Sequence, residues 1–273
     1  MLGATLGAGC GDNSSTPGVE SLPCDTPTTA VYRIDRVDVP TDSTEASAFG
    51  SDLDGDGTVD NQVGNIMSAV LQIYGDRPLL AQWQAQMAAR LAGPLDWSIR
   101  IDSCPGGEAH AWLVDGDAAD ATDAMLPAVG HFDATGLAAD GGEAILPLGA
   151  LADFTGRADA GWHPAAAATF ALAVDDTDGD DALDGRLALA IAPDYRPVIA
   201  RAFALFIQDL YDDGETTWGQ DVDADGDGQI TVDELLADRD FGWLTTADLD
   251  ADGDGAGESL SMGVVIHATR VAP

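Results

Sequence analysis

The sequence predicts an α+β protein: an antiparallel β-sheet or sandwich body with about three helices and acidic loops at the element junctions. Three observations lead there. Leu95, Trp97, Ile99 and Ile101 alternate strictly with polar neighbours, the period of a half-buried strand, and Met262, Val264, Ile266 and Ala268 repeat it near the end. Three other stretches carry apolar residues at helical spacing instead. No regular helix–strand alternation runs along the chain, so nothing signals a doubly wound parallel sheet.

In chain order, residues 1–10 read as the remnant of a signal peptide. Leu6-Gly-Ala-Gly-Cys10 is a degenerate lipobox, with small residues before a cysteine that would become the lipidated N-terminus. Residues 11–29, polar and punctuated by proline, read as a flexible tether. Residues 30–273 read as one domain. Ala30–Val39 is a strand whose apolar phase shifts between Ile34 and Val37, the sign of a bulge. An acidic loop then leads to a helix striped by Val63, Ile66, Met67, Val70, Leu71 and Tyr74. A second helix follows Pro78 through Leu80, Trp83, Met87 and Leu91, and Gly93-Pro94 ends it. Strands come next at Leu95–Ile101 and Ala109–Val114.

Between Gly116 and Gly161 the helical period is lost, and short apolar runs broken by Gly, Asp and Pro favour a meander of strands. Ala165–Val174 and Arg186–Ile191 are strands flanking another acidic loop. Pro193 and Pro197 open a third long helix with Ile199, Ala202, Phe203, Phe206, Ile207 and Leu210 on its buried face. A short helix from Val232 to Leu236 and the closing strand complete the order.

Composition bounds the partners. The formal charge is −37, and all eleven basic residues are arginine. Such a surface repels nucleic acid and anionic lipid. No run after the tether approaches the ~20 apolar residues of a membrane span. Of three cysteines, a lipidated Cys10 leaves Cys24 and Cys104, which would pair in an oxidising compartment. Neither lies in a Cys-x-x-Cys unit.

The densest chemistry lies in Asp223-Ala-Asp225-Gly-Asp227-Gly228-Gln229-Ile230-Thr231-Val232-Asp233-Glu234. Carboxylates stand at positions one, three and five, glycine at six and glutamate at twelve, the spacing of a Ca²⁺ loop. Ca²⁺ takes six to eight oxygens at about 2.3–2.6 Å, which a short chain supplies by wrapping the ion. Asp223, Asp225 and Asp227 would give one oxygen each, and Gln229 its backbone carbonyl. Thr231 would add a hydroxyl or bridging water and Glu234 two oxygens. Ile230 would face the core.

The pattern recurs three times in shorter form. Asp52, Asp54, Asp56 and Asp60 stand at positions one, three, five and nine. Asp176, Asp178, Asp180 and Asp184 do likewise, with Asp181 where glycine should stand. Asp250, Asp252, Asp254 and Glu258 form the last set. Position twelve holds Val63, Leu187 and Ser261, so these sets lack the bidentate glutamate and should bind more weakly. The alternative is that such Asp-Gly clusters are simply turns.

The 223–234 stretch resembles the EF-hand loop at every diagnostic position. It departs from the family in one respect, since Asp212 to Gln220 stand where an entering helix should run straight into position one. The three shorter sets resemble the Asp-x-Asp-x-Asp-Gly loops of thrombospondin type 3 and dockerin repeats. Asp52-Leu-Asp-Gly-Asp-Gly-Thr-Val-Asp60-Asn-Gln-Val-Gly-Asn and Asp248-Leu-Asp-Ala-Asp-Gly-Asp-Gly, followed by Ser259-Leu-Ser-Met-Gly, look like a loose group of calcium-binding lipoproteins from myxobacteria and related bacteria. That resemblance implies calcium and an envelope location, not an activity.

No Gly-x-Ser-x-Gly elbow, phosphate-binding glycine loop or His-Glu-x-x-His motif occurs. The four histidines are scattered; His110 beside Trp112, and Trp162-His163-Pro164, are the places where one would line a site. His267 falls in the closing strand as a surface or core-edge residue. The expectation is therefore a non-enzymatic, calcium-binding lipoprotein of the cell envelope or periplasm, its Ca²⁺ mainly structural. A secreted hydrolase with structural calcium is the alternative.

Overall fold

The computed structural model describes residues 21–74, 78–115, 125–175, 181–214, 218–250 and 257–271. Nine strands and eight helices lie within them. The strands are β1 (Thr28–Asp38), β2 (Trp97–Ser103), β3 (Glu108–Asp115), β4 (Ala128–Asp133), β5 (Gly136–Asp140), β6 (Glu143–Pro147), β7 (Trp162–Asp175), β8 (Ala182–Ile191) and β9 (Leu260–Arg270). The helices are α1 (Ser43–Phe49), α2 (Gln62–Ile73), α3 (Leu79–Leu91), α4 (Leu148–Leu151), α5 (Arg196–Asp212), α6 (Trp218–Val222), α7 (Val232–Ala237) and α8 (Arg239–Leu244).

The strands do not form the expected open sheet or sandwich. They close into a barrel in the order β1, β2, β3, β4, β5, β7, β8, β9 and back to β1, every pair antiparallel. Closure removes both sheet edges, which would otherwise present unpaired N–H and C=O groups. β6 stands outside the ring. It pairs with the first residues of β7 and touches β3 at Leu113↔Ala144, filling the gap that β4 and β5 leave at that end. The 14-residue β7 serves both neighbours, shifting register between Ala166 and Thr169.

The core follows the alternation. Trp97, Ile99 and Ile101 of β2 are inaccessible to solvent, as are Leu183, Leu187, Leu189 and Ile191 of β8. β1 shifts register between Ile34 and Arg36, which keeps Ile34 and Val37 both buried. Outside the barrel α2 packs on β9, α3 on β1, and α5 on α4, α6 and α7. Phe203 and Phe206 of α5 meet Phe154, and Phe203 meets Phe241 of α8, at ring separations of 5.1–6.2 Å.

The count of about three helices also needs correction. The three long ones stand where the stripes put them, but α1, α4, α6 and α8 are too short for an apolar stripe. Caps mark two of them: Asp42 accepts the Thr44 and Glu45 amides to start α1, and Asp238 accepts that of Phe241 to start α8. α6 matters most, because it runs directly into Asp223. The helix expected to be missing before the 223–234 loop is present, with one and a half turns on the near side and a similar length beyond.

Candidate metal centres

In the 223–234 loop, backbone amides gather the carboxylates. The Asp227 N–H donates to Asp223 Oδ1 and to Asp225 Oδ1, both at 3.1 Å, and the Gly228 N–H donates to Asp223 Oδ2 at 3.0 Å. The Gln229 N–H donates to Asp227 Oδ1 at 2.8 Å. Gly228 makes this possible with φ +82°, a conformation an L side chain rarely adopts. Oxygens of Asp223, Asp225 and Asp227 therefore lie within 4.8 Å of one another. Carboxylates at that range repel by about 1 kcal/mol per pair even at full water screening. The donor set is all hard oxygen, which fits Ca²⁺ and not a thiolate-seeking metal. Asp223 is 9% exposed and also accepts the Tyr211 hydroxyl at 3.3 Å, and Ile230 turns into the core as expected.

The remaining predicted ligands are engaged otherwise. Glu234 stands outside the converging group, its oxygens accepting the Thr231 N–H at 3.0 Å, the Thr231 hydroxyl at 2.8 Å and the Ala224 N–H at 3.0 Å. The Thr231 hydroxyl accepts the Glu234 N–H in return, a capping box that starts α7. The Thr231 amide and hydroxyl hold the Glu234 carboxyl below its usual range. Gln229 is exposed at position seven. For Glu234 to ligate, its carboxylate must exchange these bonds for the ion.

The 52–60 loop has the same internal logic. Gly55 and Gly57 donate to the two Asp52 oxygens at 2.8 and 3.0 Å, and Leu53 donates to Asp60 Oδ2 at 2.7 Å. Ser51 and Asp60 pair as an isolated antiparallel bridge that closes the loop. Asp52, Asp54 and Asp60 converge within 4.8 Å, while Asp56 accepts the Thr58 N–H at 2.6 Å outside that group. Burial raises the Asp60 carboxyl, the Leu53 amide opposes this, and the charges of Asp54, Asp248 and Asp56 add to the rise. Behind the loop the buried Asn61 caps α2 and accepts the Gly263 N–H of β9 at 2.8 Å. A Cβ at Gly263 would lie 2.5 Å from the Phe49 carbonyl, so only glycine lets α1 approach β9 this closely.

Of the last set, Asp250 and Glu258 flank an antiparallel bridge between Leu249 and Ser259, while Asp252 and Asp254 lie outside the described residues. Asp248, just ahead of that set, accepts the Ser261 N–H at 2.8 Å and the Ser261 hydroxyl. Asp176, Asp178 and Asp180 also lie outside the described residues. Asp181 takes φ +55°, the left-handed conformation for which the spacing wants glycine. Asp184 is on β8 opposite His267, whose Nδ1 is 2.5 Å from its Oδ1. His267 Nε2 in turn faces Asp38 Oδ2 at 3.0 Å, with the Arg36 guanidinium against the same nitrogen. Asp184 is thus held by a histidine of the neighbouring strand.

A cleft of about 520 Å³ between β1 and α3 is lined by Arg36, Val37, Asp38, Gln84, Ala85, Met87 and Ala88. It contains no serine, cysteine or threonine, and both nitrogens of the nearby His267 already face carboxylates. His110 packs edge-on to Trp112, His163 meets the Ala192 carbonyl at 3.0 Å, and His131 pairs with Asp133 at the surface. His131 shares an open cleft with Asp133 and Thr135, but the Thr135 hydroxyl donates to Asp133 Oδ1 at 2.6 Å and His131 Nε2 faces the other oxygen of the same carboxylate. Cys24 and Cys104 come together at disulfide distance with Cα atoms 5.8 Å apart, just beyond the Thr28↔Ser103 pair that ends the β1–β2 ladder. Cys10 lies outside the described residues.

Sequence reading missed Gln208 and Tyr211 of α5, both of which contact the 223–234 loop. No local signal marks them, because α5 precedes the loop and its stripe accounts only for the buried face. Asn61 did carry a signal, an N-cap residue just before an apolar stripe.

The chain matches no protein-family model, no curated protein and no solved structure.

Proposed function

We propose that the protein is a calcium-binding lipoprotein of the bacterial cell envelope, in which Ca²⁺ has a mainly structural role. The observation that carries this reading is the convergence of carboxylate oxygens in two separate loops, Asp52, Asp54 and Asp60 in one and Asp223, Asp225 and Asp227 in the other. Each loop joins two helices, α1 to α2 and α6 to α7. An ion in either relieves local repulsion and fixes the angle at which the flanking helices leave. The EF-hand spacing of residues 223–234 supports Ca²⁺ over other hard cations, since a flexible oxygen-rich loop suits its large, irregular shell. The envelope location rests on the lipobox-like Cys10, the polar tether and the pairing of Cys24 with Cys104, and Cys10→Ser should release the protein from the membrane fraction.

The test is a thermal melt in millimolar Ca²⁺ and again in EGTA. Binding to the folded state alone adds about 2.7 kcal/mol per site at a hundredfold excess over Kd. In a chain of this size that is a rise of about 5–10 °C. A melting temperature indifferent to EGTA would leave both clusters as ordinary Asp-Gly turns.

A further inference from the structure

The 223–234 loop does not hold its shape alone. Gln208, on the face of α5 turned toward the loop, reaches it with both ends of its amide. Its Oε1 accepts the Ile230 N–H at 2.6 Å, and its Nε2 donates to the Gly228 carbonyl at 3.2 Å. The same Nε2 donates to Asp212 Oδ1 at 2.9 Å, which fixes the side chain against its own helix. A carboxamide carries the same donor and acceptor as a peptide unit. Gln208 therefore pairs with the loop backbone as a neighbouring strand would, bonding the residues on either side of Gln229. One turn further along α5, Tyr211 donates to Asp223 Oδ2 at 3.3 Å. The helix thus grips the loop at positions one, six and eight.

We propose that Gln208 is the positioning residue of this loop, an inference that rests on reading residues 223–234 as a calcium site. Three carboxylates within 4.8 Å push the empty loop open. The two bonds from Gln208 keep Gly228 and Ile230 in register, so the binding-competent form stays populated before the ion arrives. Its side chain touches no carboxylate of the converging group, so it acts through the backbone and not as a ligand.

Apparent affinity scales with the competent fraction: if losing the clamp leaves about a tenth of loops competent, Kd rises about tenfold. The experiment is calorimetric titration of the full chain with Ca²⁺, the isotherm of this loop being the one that Asp223→Asn removes. Gln208→Met keeps the length of the side chain and removes its hydrogen bonds. It should weaken that isotherm about tenfold, speed exchange of the Ile230 amide in EGTA, and leave the melting temperature in EGTA nearly unchanged. Phe203→Leu serves as the control, since Phe203 is buried and its ring packs against Phe154, Phe206 and Phe241. It should lower the melting temperature and leave the isotherm as it was. A parental Kd in Gln208→Met, or equal weakening by Phe203→Leu, overturns the positioning role while the calcium reading stands. A parent chain that takes up no Ca²⁺ at this loop overturns both.

Discussion

Arg90 of α3 donates to Asp153 at 2.6 Å, and the Asp153 side chain is fully withdrawn from solvent. Asp153 also accepts the Thr155 N–H and hydroxyl, both at 2.7 Å, and the Ala158 N–H at 2.9 Å, while Arg90 donates to the Ala158 carbonyl at 2.9 Å. The pair organises the turn between α4 and β7 and ties it to α3. Two residues before Asp153, the Leu151 carbonyl accepts the Trp83 indole N–H at 3.0 Å, so α3 holds this turn at a second point.

Removing one partner strands a buried charge. Arg90→Met should destabilise the protein by about 3–5 kcal/mol, the usual cost of breaking a buried pair from one side. Combining it with Asp153→Asn should recover part of that loss, because the amide keeps the Thr155 contacts without the charge. Urea denaturation reads both effects, and a loss below 1 kcal/mol for Arg90→Met would show that water reaches the pair. Calcium stoichiometry should not change in either variant.

The bridge between Cys24 and Cys104 spans 80 residues of sequence. Cross-links closing loops of that order stabilise by about 2–4 kcal/mol, chiefly by restricting the unfolded chain. Non-reducing peptide mapping should recover the two cysteines on one fragment pair, and dithiothreitol should lower the urea midpoint accordingly. Two free thiols in the secreted form would remove the bridge.

Much of the barrel wall was legible because its alternation is local. Leu95 to Ile101 and Met262 to Ala268 declare their buried faces within seven residues each, and the phase shift after Ile34 marks a bulge that the register confirms. Closure was not legible. It depends on β2 pairing with both β1 and β3 while β9 returns to β1, contacts between residues far apart in sequence that no short window encodes. The candidate sites divide in the same way. The convergence of Asp223, Asp225 and Asp227 follows from their spacing, because each turn is closed by amides within five residues. Asp184 had the right spacing too, but the register that sets it against His267 is a property of the β8–β9 pair.

Asp115 ends β3 opposite Trp97, and its carboxyl titrates above the ordinary range through burial and the nearby charge of Asp96. A raised carboxyl means that the folded state prefers the protonated form. Ionised Asp115 therefore costs stability at neutral pH, and that cost fades as pH falls through the raised value, vanishing below about 3.9, where the unfolded chain is protonated as well. Asp115→Asn should stabilise the protein at neutral pH by up to about 0.5 kcal/mol, the scale of an exposed charge interaction. The gain should disappear in acid, and a gain that persists there would mean that the effect is not ionic.

Glu234 separates helix capping from ion binding. In Glu234→Gln the amide oxygen still accepts from the Thr231 N–H and hydroxyl, so α7 keeps its cap while the bond from the Ala224 N–H is lost. Stability in EGTA should fall by less than about 1 kcal/mol. Calcium affinity should fall on the order of a hundredfold, since affinities of such loops span decades with the number of charged ligands. Glu234→Ala removes the cap as well, and should lose about 1 kcal/mol in EGTA in addition to the binding loss. Asp52→Ala acts in a different loop with no shared partner, so its effect on the calcium-dependent melting shift should add to that of Glu234→Gln. If Glu234→Gln leaves the calcium isotherm intact, Glu234 is only the cap that the hydrogen bonds describe, and the loop must bind through Asp223, Asp225 and Asp227 without it.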